Sequence, residues 1–108
     1  MSTVKINVNF LAGEVLDHMV SHCVEWSKKF PIFPLRVLPY PTDWAHGGPI
    51  IEREGITIQQ SPDRDCCMAH NESHAFEGPT PLIAAMRCYV ASKLGEIVEV
   101  PSELFKEN

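Results

Sequence analysis

The sequence predicts an α+β domain: a small three-stranded, mainly antiparallel sheet packed with two long helices and one short helix, in the order β-α-α-β-β-α. Three observations predict it. Short stretches of alternating apolar and polar residues open the chain and recur in its middle. Two longer stretches carry apolar residues at helical spacing. Capping residues, glycines and prolines punctuate the boundaries between them. The 108 residues suit a single domain, 1–108, with one modest core.

The first element is a strand. Val4, Ile6, Val8 and Phe10 alternate with Lys5, Asn7 and Asn9. A helix is expected over Leu11 to Trp26, with Asn9 as its cap. Leu11, Val15, Met19, Cys23 and Trp26 fall on its apolar side, flanked by Leu16 and Val20. Glu14, Asp17, His18, Ser21 and Glu25 take the other side. Pro31, Pro34, Pro39 and Pro41 end it and make residues 31–41 a loop or short edge strand, because proline fixes φ and lacks a donor.

Thr42 or Asp43 can cap a turn that begins at Trp44. Gly47-Gly48 is expected to interrupt that turn. Pro49 then suits a first helical position, and Ile50 to Glu54 read as a short helix closed by Gly55. Ile56 to Gln59 alternate as a strand, "SPDRD" is turn chemistry, and Cys66 to His70 read as a third strand. "NESHAFEG" is expected to be a loop. The last helix is the clearest element: Thr80 caps it, Pro81 opens it and Gly95 lies past its end. Leu82, Met86, Tyr89 and Val90, with Ile83 and Leu94, form its core stripe. The tail "EIVEVPSELFKEN" is expected to be a short, acidic surface segment.

Composition excludes several function classes. Nine Lys plus Arg stand against 14 Asp plus Glu, a net charge of −5. Binding nucleic acid by phosphate neutralisation needs the opposite balance, and the one close basic cluster is Lys28-Lys29. No run of about 18 apolar residues spans a membrane. The opening "MSTVKINVNF" has no secretory h-region, so a reducing cytoplasm is expected for the four cysteines.

The last helix is unusual on its far face. Ala84, Ala85, Cys88, Ala91 and Ser92 lie opposite the core stripe, with no charge among them. Small residues let another backbone approach closely. That backbone belongs either to the chain's own first helix or to a partner, including a second copy. Trp44, beside a double glycine, is either a plug in the core or an exposed aromatic at a binding surface, where Trp is enriched.

Metal and thiol chemistry form the competing class. "CCMAHNESH" offers Cys66, Cys67, His70 and His74, and His18 and His22 stand at i, i+4. Neighbouring strand residues point to opposite faces, however, so Cys66 and Cys67 do not easily ligate one ion. No C-x-x-C pair, phosphate loop or nucleophile elbow is present, and no cofactor is expected. Glu52, Arg53 and Glu54 read as a solvated helix end.

The stretches "TDWAHGGPIIEREGI", "GPTPLIAAMRCYVASKLG" and "FLAGEVLDHMVSHC" resemble the NinX-like family of small phage and prophage proteins. The resemblance covers most of the chain. It implies a phage or prophage origin, the cytoplasm of a bacterial host, and a small sheet sandwiched between helices. It brings no catalytic motif. It also implies a tryptophan before the alanine of the third strand, where this chain has "CCMAH".

The expected function is therefore that of a small acidic phage accessory protein acting by protein–protein binding. Its partner would be a host or phage protein or a second copy, and modulation of a host factor or inhibition of a host defence system fits a small acidic binder by analogy. The binding residues expected are Ala84, Cys88, Ala91, Ser92 and Trp44. The alternative is a metal-dependent or thiol enzyme using Cys66, Cys67, His70 and His74.

Overall fold

A computed structural model describes residues 3–25, 38–60, 67–72 and 74–102. Trp26, the prolines at 31 and 34, Lys28-Lys29, the "SPDRD" turn and Cys66 lie outside the described residues. The α+β class holds: three helices accompany a three-stranded antiparallel sheet and a separate two-stranded ribbon. No described helix is long and apolar enough to cross a membrane.

Strand β1 covers Thr3–Asn7 and stops earlier than its alternation suggests. Residues Val8–Phe10 instead form a 3-10 turn. Asn7, not Asn9, does the capping, its side chain accepting from the Asn9 N–H at 2.9 Å. Helix α1 then runs Gly13–Glu25. Its buried surface is wider than the apolar stripe: His18, Ser21 and His22 are buried with Leu16, Met19, Val20 and Cys23. Ser21 is not solvated, because its hydroxyl accepts the Leu38 N–H at 3.0 Å.

Helix α2 runs Trp44–Glu54, one and a half turns longer than Pro49 as a first position implies. Asp43 starts it by accepting the Ala45 N–H at 2.9 Å, and Gly55 closes it. The double glycine does not interrupt the helix. It lets α2 approach its neighbours: a Cβ at Gly47 would lie 2.6 Å from Leu82 Cδ1 and would also strike the Tyr40 carbonyl. Pro49 inside the helix forfeits one intrahelical bond.

The sheet is built from β2 (Thr57–Gln60), β3 (Cys67–His70) and β4 (Ala75–Gly78), in that order. Strand β4 is the expected loop corrected. Phe76 pairs opposite Ala69, and Gly78 opposite Cys67. Four residues alternating around a single phenylalanine carry too little periodicity to be read alone. The expected tail is corrected likewise. Residues Ile97–Pro101 form β5, antiparallel to β1, with Val4 opposite Val100 and Ile6 opposite Val98. Lys5 faces Glu99 on the outer side of this ribbon, and the Thr3 hydroxyl donates to Glu99 at 2.8 Å.

Helix α3, Pro81–Leu94, is the middle layer. The three-stranded sheet packs on one side of it, and α1 and α2 pack on its other sides. Leu82, Ala84, Ala85, Met86, Cys88, Tyr89, Val90 and Ala91 are all buried, so α3 is apolar all round rather than amphipathic. The sheet itself is not sandwiched. Thr57, Gln59, Met68, Ala75 and Glu77 are exposed on its far face.

Two polar devices tie α3 in place. Arg87 donates from Nε to the Leu11 carbonyl at 2.9 Å and from Nη1 to the Glu77 carbonyl at 2.7 Å, joining the start of α1 to β4. At the other end, Glu54 receives Lys93 and Arg53, each at 3.2 Å. Burial alone would raise the Glu54 carboxyl, but hydrogen bonds from Arg53 and Lys93 outweigh it and hold it below the ordinary range. A close backbone approach joins β4 to the first turn of α3. A Cβ on Gly78 would sit 2.7 Å from the Ala84 nitrogen.

Backbone cannot yield as a side chain can, so overpacking there is costly, typically about 1–3 kcal/mol. Gly78→Ala is therefore expected to lower the urea midpoint by a stability loss of about that size. Gly47→Ala should also lose stability, although alanine gains up to about 1 kcal/mol over glycine inside a helix. A midpoint equal to or above that of the parent for both variants would refute these close approaches.

Candidate functional site

Residues singled out from the sequence end up in different places. Ala84, Cys88 and Ala91 are 0, 0 and 1 % exposed. The small-residue face of α3 thus receives the chain's own backbone, β4 above all, and offers no partner surface in the folded chain. Ala84 sits on Gly78, and the Cys88 thiol points at the His74 carbonyl at 3.7 Å. Ser92 is exposed, with its hydroxyl turned back to the Tyr89 carbonyl at 2.8 Å.

The thiol and imidazole cluster does not assemble among the described residues. Cys67 faces the core beside Ala69, whereas His70 is on the opposite side of β3. His74 stacks on Phe76, centroids 6.2 Å apart, and its buried Nδ1 makes no hydrogen bond among the described residues. His18 and His22 face into the protein. No group of three His, Cys, Asp or Glu side chains among the described residues stands close enough to hold a metal. Burial pushes the Cys23 thiol up to about 12, against the pull of Lys93, and raises Cys88 also. Both are protonated and poorly nucleophilic at neutral pH.

Two concavities open on the surface of the described residues. One, of about 300 Å³, lies between α1 and β5 and is lined by Met19, His22, Leu94 and Val98 among others. The other, of about 390 Å³, is lined by Glu54, Gly55, Asn71 and Glu72. In the first, the Thr3 hydroxyl donates to the Glu99 carboxylate at 2.8 Å, with His22 also in the lining; the lining of the second has no cysteine, serine or threonine.

Of the sequence-predicted binding residues the structure presents Ser92 and Trp44, and Trp44 is the large apolar one. It is 55 % exposed at the first position of α2. A small polar network holds that turn. Asp43 caps it through Oδ1, and its Oδ2 lies 3.0 Å from His46 Nδ1. The Tyr40 ring meets the His46 ring edge-on at 5.9 Å. The indole leans along the helix, since a Cβ on Gly48 would lie 3.9 Å from Trp44 Cε3. A side chain at 48 would meet the indole only in ordinary van der Waals contact, so the large aromatic lies over this turn on the surface of a rigid element. An indole so placed has one end apolar and one donor available.

Glu52 was read from the sequence as an unremarkable solvated end. With α2 beginning at Trp44, positions 44, 48 and 52 stand at i, i+4 and i+8, one row on the exposed flank. The missing signal was the helix start, which Pro49 concealed. Met68, at the position where the resemblance implies tryptophan, is 37 % exposed on the open sheet face.

The burial of the cysteines is testable with Ellman's reagent. In a Cys66→Ser variant, the thiols of Cys23, Cys67 and Cys88 are expected to react only after denaturant is added. A rapid stoichiometric reaction of any of the three in native protein would contradict their placement.

The family model describing bacteriophage P22 NinX matches residues 18–93 of the chain. That span runs from within α1 through α2 and the sheet to the last turn of α3. No curated protein matches the chain.

Proposed function

This chain belongs to the bacteriophage P22 NinX family, and we propose that, as a phage or prophage accessory protein, it acts by binding another protein. The partner is a host or phage protein met in the bacterial cytoplasm, and modulating a host factor or blocking a host defence system are the roles this suits. The observation that carries the reading is the exposed Trp44, mounted on a capped helix and half out of the protein. Trp heads the residues that dominate binding energy at interfaces, and a rigid mount spares the ordering cost. A second copy of the chain is a further partner, but it would have to meet surfaces other than Ala84, Cys88 and Ala91, which are internal.

A photo-crosslinking amino acid at Ala45, exposed beside Trp44, tests this in the bacterial host. One defined protein is expected to be trapped and to co-purify. Trp44→Ala should weaken its binding by roughly thirtyfold, the cost of losing a hot-spot residue. The same variant should change stability by no more than about 0.5 kcal/mol, as surface substitutions do. Undiminished capture by a folded Trp44→Ala protein, or capture of nothing, would overturn the proposal.

A further inference from the structure

We infer that the flank of α2 running from Trp44 to Glu52 receives an arginine-bearing segment of the partner protein. The inference rests on the binding role proposed above and adds the chemistry of what is bound. Trp44, Gly48 and Glu52 share one row, about 12 Å from end to end. The indole lies at the start of the row and a carboxylate stands at each end, Asp43 beside Trp44 and Glu52 a helix turn beyond Gly48. Gly48 leaves the space between them open.

The unpaired charge among the described residues is predominantly negative. Three of the four described Lys and Arg side chains are already committed within the chain. Arg87 is spent on two backbone carbonyls, and Arg53 and Lys93 both hold Glu54. Lys5 faces Glu99 across the ribbon. Arg53, the cation nearest the row, stands on the opposite edge of the exposed face of α2 and is drawn back to Glu54 at 3.2 Å. Glu14, Asp17, Glu52, Glu72 and Glu96 have no cationic partner among the described residues. Burial, and then the charge of Glu14, push the Asp17 carboxyl up.

An exposed indole that follows Asp43 and shares a helix row with Glu52 selects a cation, because the ring face is attracted to positive charge and Trp is the strongest such face. Arginine fits better than lysine here. Its planar guanidinium stacks on the ring while its N–H fork reaches a carboxylate, which a compact ammonium does not do. Nucleic acid would be repelled by the same carboxylates.

The test is an NMR titration of the full chain with three capped peptides of alternating glycine and arginine, lysine or glutamine. The reporter is the indole N–H of Trp44, identified by its loss in Trp44→Phe, since Trp26 supplies the other indole. The arginine peptide is expected to shift it saturably, the lysine peptide less and the glutamine peptide least. Glu52→Gln should weaken the arginine peptide about two- to fivefold, as for an exposed ion pair. Glu52→Lys should weaken it further. Equal shifts from all three peptides would overturn the inference. So would shifts centred on Glu14 or Glu72 with Trp44 unmoved, matching shifts from single-stranded DNA, or a Trp44 shift on concentrating the protein alone. A partner trapped beside Trp44 whose binding ignores Glu52→Lys would overturn the arginine assignment and leave protein binding standing.

Discussion

The fold turns on the approach of β4 to α3 at Gly78 and Ala84. No Cβ fits there, because it would lie 2.7 Å from the Ala84 nitrogen and 3.0 Å from its Cα. That contact lets a helix carrying Ala84, Ala85, Cys88 and Ala91 seat its backbone on the sheet. On its remaining sides the same helix buries Leu82, Met86, Tyr89 and Val90 against the other elements. A helix buried along most of its length needs the polar groups it buries satisfied internally. Arg87 achieves this by donating to carbonyls on two different elements. Tyr89, whose hydroxyl is pushed up to about 12, chiefly by burial and next by Cys23, stays neutral within the clasp formed by Glu54 and Lys93.

This arrangement decides which surfaces are left for function. The residues with the strongest packing signature in the sequence are consumed by the core. The chain is left with the outer flank of α2 and the open face of the sheet. Cations are used up in holding elements together: Arg53 and Lys93 on Glu54, and Arg87 on carbonyls. The charge that remains facing solvent among the described residues is predominantly acidic, and the large apolar side chains exposed beside it are Val4, Phe10, Met68, Ile97 and the indole mounted on α2. The surface character of the protein is thus a by-product of how its interior was assembled.

Much of this was legible in the residues themselves. The α+β class, the ends of α3 at Thr80 and Gly95, the Asp43 cap and the strands around Ile58 and Ala69 follow from periodicity and capping. Strand β4 and strand β5 were not legible, because each depends on a partner remote in sequence: β5 pairs with β1 across the whole chain. The length of α2 was hidden by Pro49, a residue that usually marks a start. The two faces of α3 could not be told apart as inner or outer, since a small-residue face accepts either the chain's own backbone or a partner's. Trp44 posed the same choice, and its exposure in the folded chain resolves it. Of the two glycines beside it, Gly47 is the one that packs inward, against Leu82.

Native-state hydrogen exchange of the full chain tests the central claim most directly, that α3 is an internal layer and the outer flank of α2 is the free surface. The amides from Ala84 to Ala91 are expected to exchange only through global unfolding, with the highest protection in the protein. Those of the first turn of α2 should exchange far sooner. Exchange from α3 by local opening, at a free energy well below that of global unfolding, would contradict the account.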